Sequence, residues 1–124
     1  MATKILIVED DKNLNMMLKL ILKNKAFDWD LQSAHNGVEA LKFLETSKPD
    51  LILLDIMMPE MDGLEFAQKV KAQPQYASIK IAVLSALNDA TTINRAKSVG
   101  VDDYWTKPIM PDTLTANIKR LLGL

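Results

Sequence analysis

Pro49-Asp50-Leu51-Ile52-Leu53-Leu54-Asp55-Ile56-Met57-Met58-Pro59-Glu60-Met61-Asp62-Gly63 holds four consecutive apolar residues closed by a single carboxylate. A strand that is apolar at every position, rather than at alternate ones, is buried on both faces. That pattern marks a parallel sheet lying between layers of helices. A carboxylate ending such a strand costs free energy unless it has a partner or a task. Two other strand candidates end in charge. Ile5-Leu6-Ile7-Val8 leads into Glu9-Asp10-Asp11, and another strand candidate stops at Lys107-Pro108.

Working outward, short apolar runs alternate with longer amphipathic ones. The pattern predicts strands over Lys4–Val8, Asp30–Ala34, Leu51–Leu54, Ile79–Leu84 and Asp103–Thr106. It predicts helices over Lys12–Asn24, Val38–Ser47, Leu64–Ala72, Ala90–Val99 and Pro111–Leu122. Asn36-Gly37 and Asp62-Gly63 are turn signals before helices, Gly100 suits a helix C-terminus, and Pro111 suits a first helical turn. Five strand–helix units imply an α/β fold, a doubly wound five-stranded parallel sheet. Ligands of such sheets collect at the carboxyl ends of the strands. Asp10, Asp55, Ser85 and Lys107 all fall at those ends.

Composition narrows the function. The 124 residues fit one domain, and 48% hydrophobic content supports a real core. A net charge of −1 gives no bulk attraction to nucleic acid or an anionic membrane. Without cysteine there is no disulfide framework and no thiolate metal site. No stretch reads as a signal peptide or membrane span, so a cytoplasmic protein is expected.

Carboxylates crowded at one edge repel one another, and a divalent cation removes that cost. Mg²⁺ takes oxygen ligands and retains waters, which suits a few acids. The lack of cysteine, and of histidine near these strand ends, argues against zinc. An aspartate is a competent nucleophile toward phosphorus. Lys107 and the Ser85 hydroxyl are suited to neutralise and hold phosphoryl oxygens.

The same stretches carry a resemblance. Lys4-Ile5-Leu6-Ile7-Val8-Glu9-Asp10-Asp11, the segment from Pro49 to Gly63, Leu84-Ser85-Ala86, and Gly100-Val101-Asp102-Asp103-Tyr104-Trp105-Thr106-Lys107-Pro108 match in order and spacing. Over its whole length the chain resembles a receiver domain of two-component response regulators, with a single receiver domain over 1–124. The resemblance implies a flavodoxin-like sheet in the order 2-1-3-4-5. It implies that Asp55 accepts a phosphoryl group from a histidine kinase or histidine phosphotransfer protein. Glu9, Asp10, Asp55 and the backbone carbonyl of Met57 would hold Mg²⁺, with Glu9 acting mainly through water. Lys107 would pair with Asp55 or its phosphate, and the Lys107–Pro108 bond would be cis. Ser85 and Tyr104 would form the switch. The output surface would comprise the fourth helix, fifth strand and fifth helix. Asp102, Asp103, Arg95, Lys97 and Arg120 place both signs of charge there, either joining two copies in a homodimer or facing solvent. By this resemblance the protein would act only on itself, with a downstream protein as target and no direct nucleic acid or membrane partner.

Some residues keep two readings. Asp11 reads as the N-cap of the first helix rather than as a metal ligand. His35 reads as surface or loop structure. In the first helix, Leu14, Met17, Leu18, Ile21 and Leu22 form the expected buried stripe. Met16 and Leu20 flank it. They either widen that stripe or form an exposed patch where the helical phosphodonor docks. Met57 and Leu87, two residues after Asp55 and Ser85, are apolar and orient no water, so slow self-dephosphorylation is expected.

Rival readings remain. The chain stops after its last helix, which favours a stand-alone regulator over a receiver excised from a longer DNA-binding regulator. An aspartyl-nucleophile phosphatase commonly carries a second aspartate where Met57 stands. A flavodoxin-like cofactor carrier would need a Ser/Thr/Gly-rich phosphate loop where Glu9-Asp10-Asp11 stands.

Overall fold

In the computed structural model, which describes residues 3–23, 28–56 and 63–124, strands and helices alternate along the chain. The order is β1 (Thr3–Val8), α1 (Lys12–Lys23), β2 (Trp29–Ala34), α2 (Gly37–Thr46), β3 (Leu51–Leu54), α3 (Gly63–Lys71), β4 (Lys80–Ser85), α4 (Ala90–Ser98), β5 (Asp103–Thr106) and α5 (Pro111–Leu122). A 3₁₀ turn over Pro74–Tyr76, which the sequence pattern does not predict, precedes β4. All neighbouring strands run parallel in the order β2-β1-β3-β4-β5, so the chain reverses direction across the sheet after β2. That reversal opens a crevice beside β1 and β3.

Helix starts follow the expected chemistry. The Asn36 side chain accepts from the Glu39 backbone N–H at 2.7 Å and starts α2. Asp89 caps α4 through the Thr92 N–H at 3.0 Å, and this bond holds its carboxyl below the ordinary value. Pro111 opens α5, and Gly123 ends it at φ 72°, a left-handed conformation that glycine adopts without a Cβ penalty.

Alternate strand residues point to opposite faces and build two cores. Ile5, Ile7, Leu51, Leu53, Ala82 and Leu84 pack with Leu18, Leu22, Leu114 and Ile118 of α1 and α5. Leu6, Val8, Ile52, Leu54 and Ile81 pack with Ala40, Leu44, Phe66, Ala67 and Val70 of α2 and α3. Val83 packs with Ala96 of α4 on that second side. All four residues of β3 are buried, as a strand covered on both faces requires.

α1 departs from the expected stripe. Met17 is 51% exposed, while Asn15 joins Leu18 and Leu22 in the interior. Residues 15, 18 and 22 share one face, and Met17 stands about 100° round the helix from Leu18. Asn15 can be buried because its amide is satisfied. Its Nδ2 donates to the carbonyls of Glu9 (3.2 Å) and Ala34 (3.3 Å), and its Oδ1 accepts from the Ser33 hydroxyl (2.7 Å). This bridge ties α1 to the ends of β1 and β2.

Candidate functional site

Sheet hydrogen bonding continues one residue past three strand ends, and it fixes the backbone of the site. Glu9 N–H donates to Ala34 O (3.0 Å), Asp55 N–H to Val8 O (3.0 Å), and Lys107 N–H to Ser85 O (2.8 Å). Three ionisable side chains from β1, β3 and β5 are therefore delivered to one edge on rigid backbone.

Glu9, Asp10 and Asp55 each bring a carboxylate oxygen to within 4.8 Å of the others. Asp10 is exposed, Asp55 half-buried and Glu9 buried. Lys107 Nζ donates to Glu9 Oε1 at 2.9 Å and to Asp55 Oδ2 at 3.5 Å. The expected Lys107–Asp55 pair is present, but the shorter bond goes to Glu9. Burial, partly offset by the bond from Lys107 and reinforced by the Asp55 carboxylate, raises the Glu9 pKa from 4.5 to about 7. Lys107 is thus shared between two carboxylates of this acid cluster.

The donor set fits a hard divalent cation: three carboxylates of graded exposure, no cysteine in the chain, and no histidine in the cluster. The Met57 carbonyl, expected as a further ligand, lies outside the described residues. Asp11 is a helix cap, as its first reading has it. Its Oδ1 accepts from Asn13 N–H (2.9 Å) and Leu14 N–H (3.2 Å). His35 sits beyond β2, 3.3 Å from Glu39, and takes no part in the cluster.

Ser85 is fully buried at the end of β4, where its Oγ accepts from Leu87 N–H at 3.2 Å. The Tyr104 hydroxyl donates to Leu87 O at 2.6 Å. Leu87 thus joins the serine and the tyrosine through its two backbone groups. Partial burial raises the Tyr104 pKa above its ordinary value, so the phenol remains a donor. The Lys107–Pro108 bond is cis. Gly63 opens α3 against the strand end: its N–H donates to Ile56 O at 3.2 Å, and a Cβ there would lie 2.4 Å from Ile56 Cα and 2.6 Å from Asp55 O.

Met16 and Leu20 are 63% and 53% exposed, so they do not widen the buried stripe. On the other flank of α1, Leu14, Met17 and Ile21 line a hollow with Pro108 and Ile109, next to Lys107. Two site features escaped the sequence reading: the Asn15 bridge and the preference of Lys107 for Glu9. A lone asparagine in register with Leu18 and Leu22 was the signal for the first.

Residues 5–119 match the response regulator receiver domain family. The chain is 36% identical over 122 residues to the alkaline phosphatase synthesis transcriptional regulatory protein PhoP of Bacillus subtilis, covering 98% of this chain and 49% of that protein. It is 33% identical over 124 residues to the cyclic di-GMP phosphodiesterase response regulator RpfG of Xanthomonas campestris, covering 100% of this chain and 33% of that protein. The chain spans about half, or less, of these relatives' lengths. Among solved structures, the signal receiver domain of a signal transduction histidine kinase from Syntrophus aciditrophicus superposes with a TM-score of 0.90 at 38% identity, covering 98% of this chain and 91% of that one. Chemotaxis protein CheY4 of Vibrio cholerae superposes at 0.90 with 29% identity, covering 98% and 99%. The fold order, the acid edge and these likenesses agree, and the chain belongs to the response regulator receiver domain family.

Proposed function

We propose that residues 1–124 act as one receiver unit, in which Asp55 takes a phosphoryl group from a phosphohistidine donor, a histidine kinase or histidine phosphotransfer protein. The observation that carries this reading is that backbone bonds set Glu9, Asp55 and Lys107 on one sheet edge, with the carboxylates of Glu9, Asp10 and Asp55 within 4.8 Å of one another. An Asp55 oxygen attacks phosphorus, the bond to the donor nitrogen breaks, and an acyl phosphate forms on Asp55. When bound at Glu9, Asp10 and Asp55, Mg²⁺ supplies positive charge to the phosphoryl oxygens. Lys107 exchanges its Glu9 contact for the phosphoryl group, and Ser85 donates its hydroxyl to a phosphoryl oxygen.

A shift of Ser85 pulls on Leu87 N–H, and Leu87 O holds Tyr104, so the two sides of one peptide residue link site to output. Phosphorylation then biases a two-state equilibrium of the α4–β5–α5 surface, which contacts a downstream protein or a second copy. On this reading the only catalysis is self-phosphorylation and slow hydrolysis, in a cytoplasmic setting. No helix among the described residues is long and apolar enough to cross a membrane. The exposed Met16 and Leu20 belong to the surface where the donor docks.

The test is incubation with Mg²⁺ and acetyl phosphate, followed by intact mass and site mapping. One phosphoryl group on Asp55, and none on Asp55→Ala, is the expected result. A folded, magnesium-supplied protein that takes no label, or an Asp55→Ala variant that takes as much, overturns the reading.

A further inference from the structure

The outer flank of α1 has a chemistry that the phosphoryl site does not use. Lys12, Lys19 and Lys23 lie at i, i+7 and i+11 and form one stripe, with Met16 and Leu20 beside it. α1 carries these three lysines and no acid, although the whole chain has a net charge of −1. Together with His35, these residues line an open hollow of about 540 Å³ between α1 and β2, and no acid lines it among the described residues. The two apolar side chains are largely exposed and stand one turn apart. Exposed apolar side chains beside a stripe of charge of one sign mark an interaction surface.

We infer that this flank seats an acidic amphipathic helix of a partner protein. It deepens the docking reading above by giving the chemistry of the partner's segment, and rests on that reading only for which protein carries it. The stripe from Lys12 to Lys23 is about 16 Å long, three helical turns. A helix lying along it sets an apolar stripe on Met16 and Leu20 and its acids against the lysines. Duplex DNA would engage the three lysines but leave Met16 and Leu20 unmatched. A membrane would meet no aromatic side chain here, and the chain as a whole lacks the positive charge that draws proteins to polyanions.

The experiment uses the ¹⁵N-labelled chain without phosphate. The probes are a three-turn helical peptide with a leucine stripe edged by glutamates, and the same peptide with lysines in their place. The acidic peptide is expected to shift the amide signals of Met16, Lys19 and Leu20. The lysine peptide is expected to bind about tenfold more weakly or worse. Lys12→Glu combined with Lys19→Glu and Lys23→Glu should weaken the acidic peptide about tenfold, and Met16→Lys with Leu20→Lys by a similar factor. Labelling by acetyl phosphate should stay within about twofold in the triple lysine-to-glutamate variant, which leaves Glu9, Asp10, Asp55 and Lys107 in place. Equal binding of the two peptides, shifts confined to other elements, or tighter engagement of the same signals by a DNA duplex or phosphatidylserine vesicles overturns the inference. Failed peptide binding with intact Asp55 labelling sinks this inference alone. Failed labelling with intact peptide binding sinks the phosphoacceptor reading alone.

Discussion

Two lysine–carboxylate contacts stand at opposite edges of the same sheet, and they differ in how completely their charges are answered. Lys71 Nζ donates to Asp102 Oδ2 and to Ile79 O, both at 2.9 Å, and the same Asp102 oxygen accepts from Ile81 N–H at 2.8 Å. One cation meets one acid there, backbone groups take the remaining bonds, and α3 is stitched to the starts of β4 and β5. At the other edge Lys107 is divided between Glu9 and Asp55, with Asp10 close by. The first arrangement pairs one cation with one anion. The second shares one lysine among crowded carboxylates held on rigid backbone, an arrangement that favours uptake of a cation.

The sharpest way to break this contrast is to remove each lysine. Lys107→Ala should slow Asp55 labelling by acetyl phosphate about a hundredfold, as loss of one fixed counter-charge does in other phosphoryl and acyl sites. Lys71→Ala should leave the rate within about twofold. Equal losses in a timed mass-spectrometric assay would erase the distinction.

Next in size is phosphate lifetime. Leu87 offers the site no side-chain group to orient water, so Leu87→Glu should speed loss of phosphate from Asp55 about tenfold. The decay of label after removal of the donor measures it, and an unchanged lifetime would mean that hydrolysis is limited elsewhere.

A smaller effect separates the edges by pH. The folded pKa of Glu9, about 7, stands above its ordinary 4.5, mainly because burial disfavours the charged form. Stability from this group is complete below 4.5 and is lost as pH rises through 7. Without divalent metal, melting temperature should fall by several degrees across that window, and Glu9→Gln should flatten the slope. Magnesium added above neutral pH should restore stability to the parent chain and not to Glu9→Gln. Removing the Lys71 contact should show no such coupling. Lys71→Met should cost about 1 kcal/mol in urea unfolding, independent of magnesium, since the pair is only partly buried.

How much of this was legible depended on whether the cause was local. β3 emerges with the bounds its sequence pattern predicts, because burial on both faces demands an unbroken apolar run. Asp55 stands out because a charge directly after such a run is costly, and Lys107 because it closes a further strand candidate. Asp11 was legible as a cap for an equally local reason. Met17 was misplaced because a helix with apolar residues over much of its circumference does not reveal where its buried face is centred. That centre is set by Asn15, whose burial depends on carbonyls at Glu9 and Ala34 that only the folded sheet brings together. The same holds for Lys107. Its choice of Glu9 over Asp55 spans 98 residues of sequence and depends on side-chain reach across the edge. Asp102 read as a surface charge, and its structural bonds to Ile81 and Lys71 are likewise long-range.

Gly63 carries a consequence for variation around Asp55. A methyl group there would overlap the peptide between Asp55 and Ile56, which no rotamer change relieves. The first turn of α3 is seated on the main chain of Asp55 and Ile56, with no side chain as a cushion. In a saturation library selected for phosphate uptake, position 63 should therefore return glycine alone, even where neighbouring side chains prove freely exchangeable.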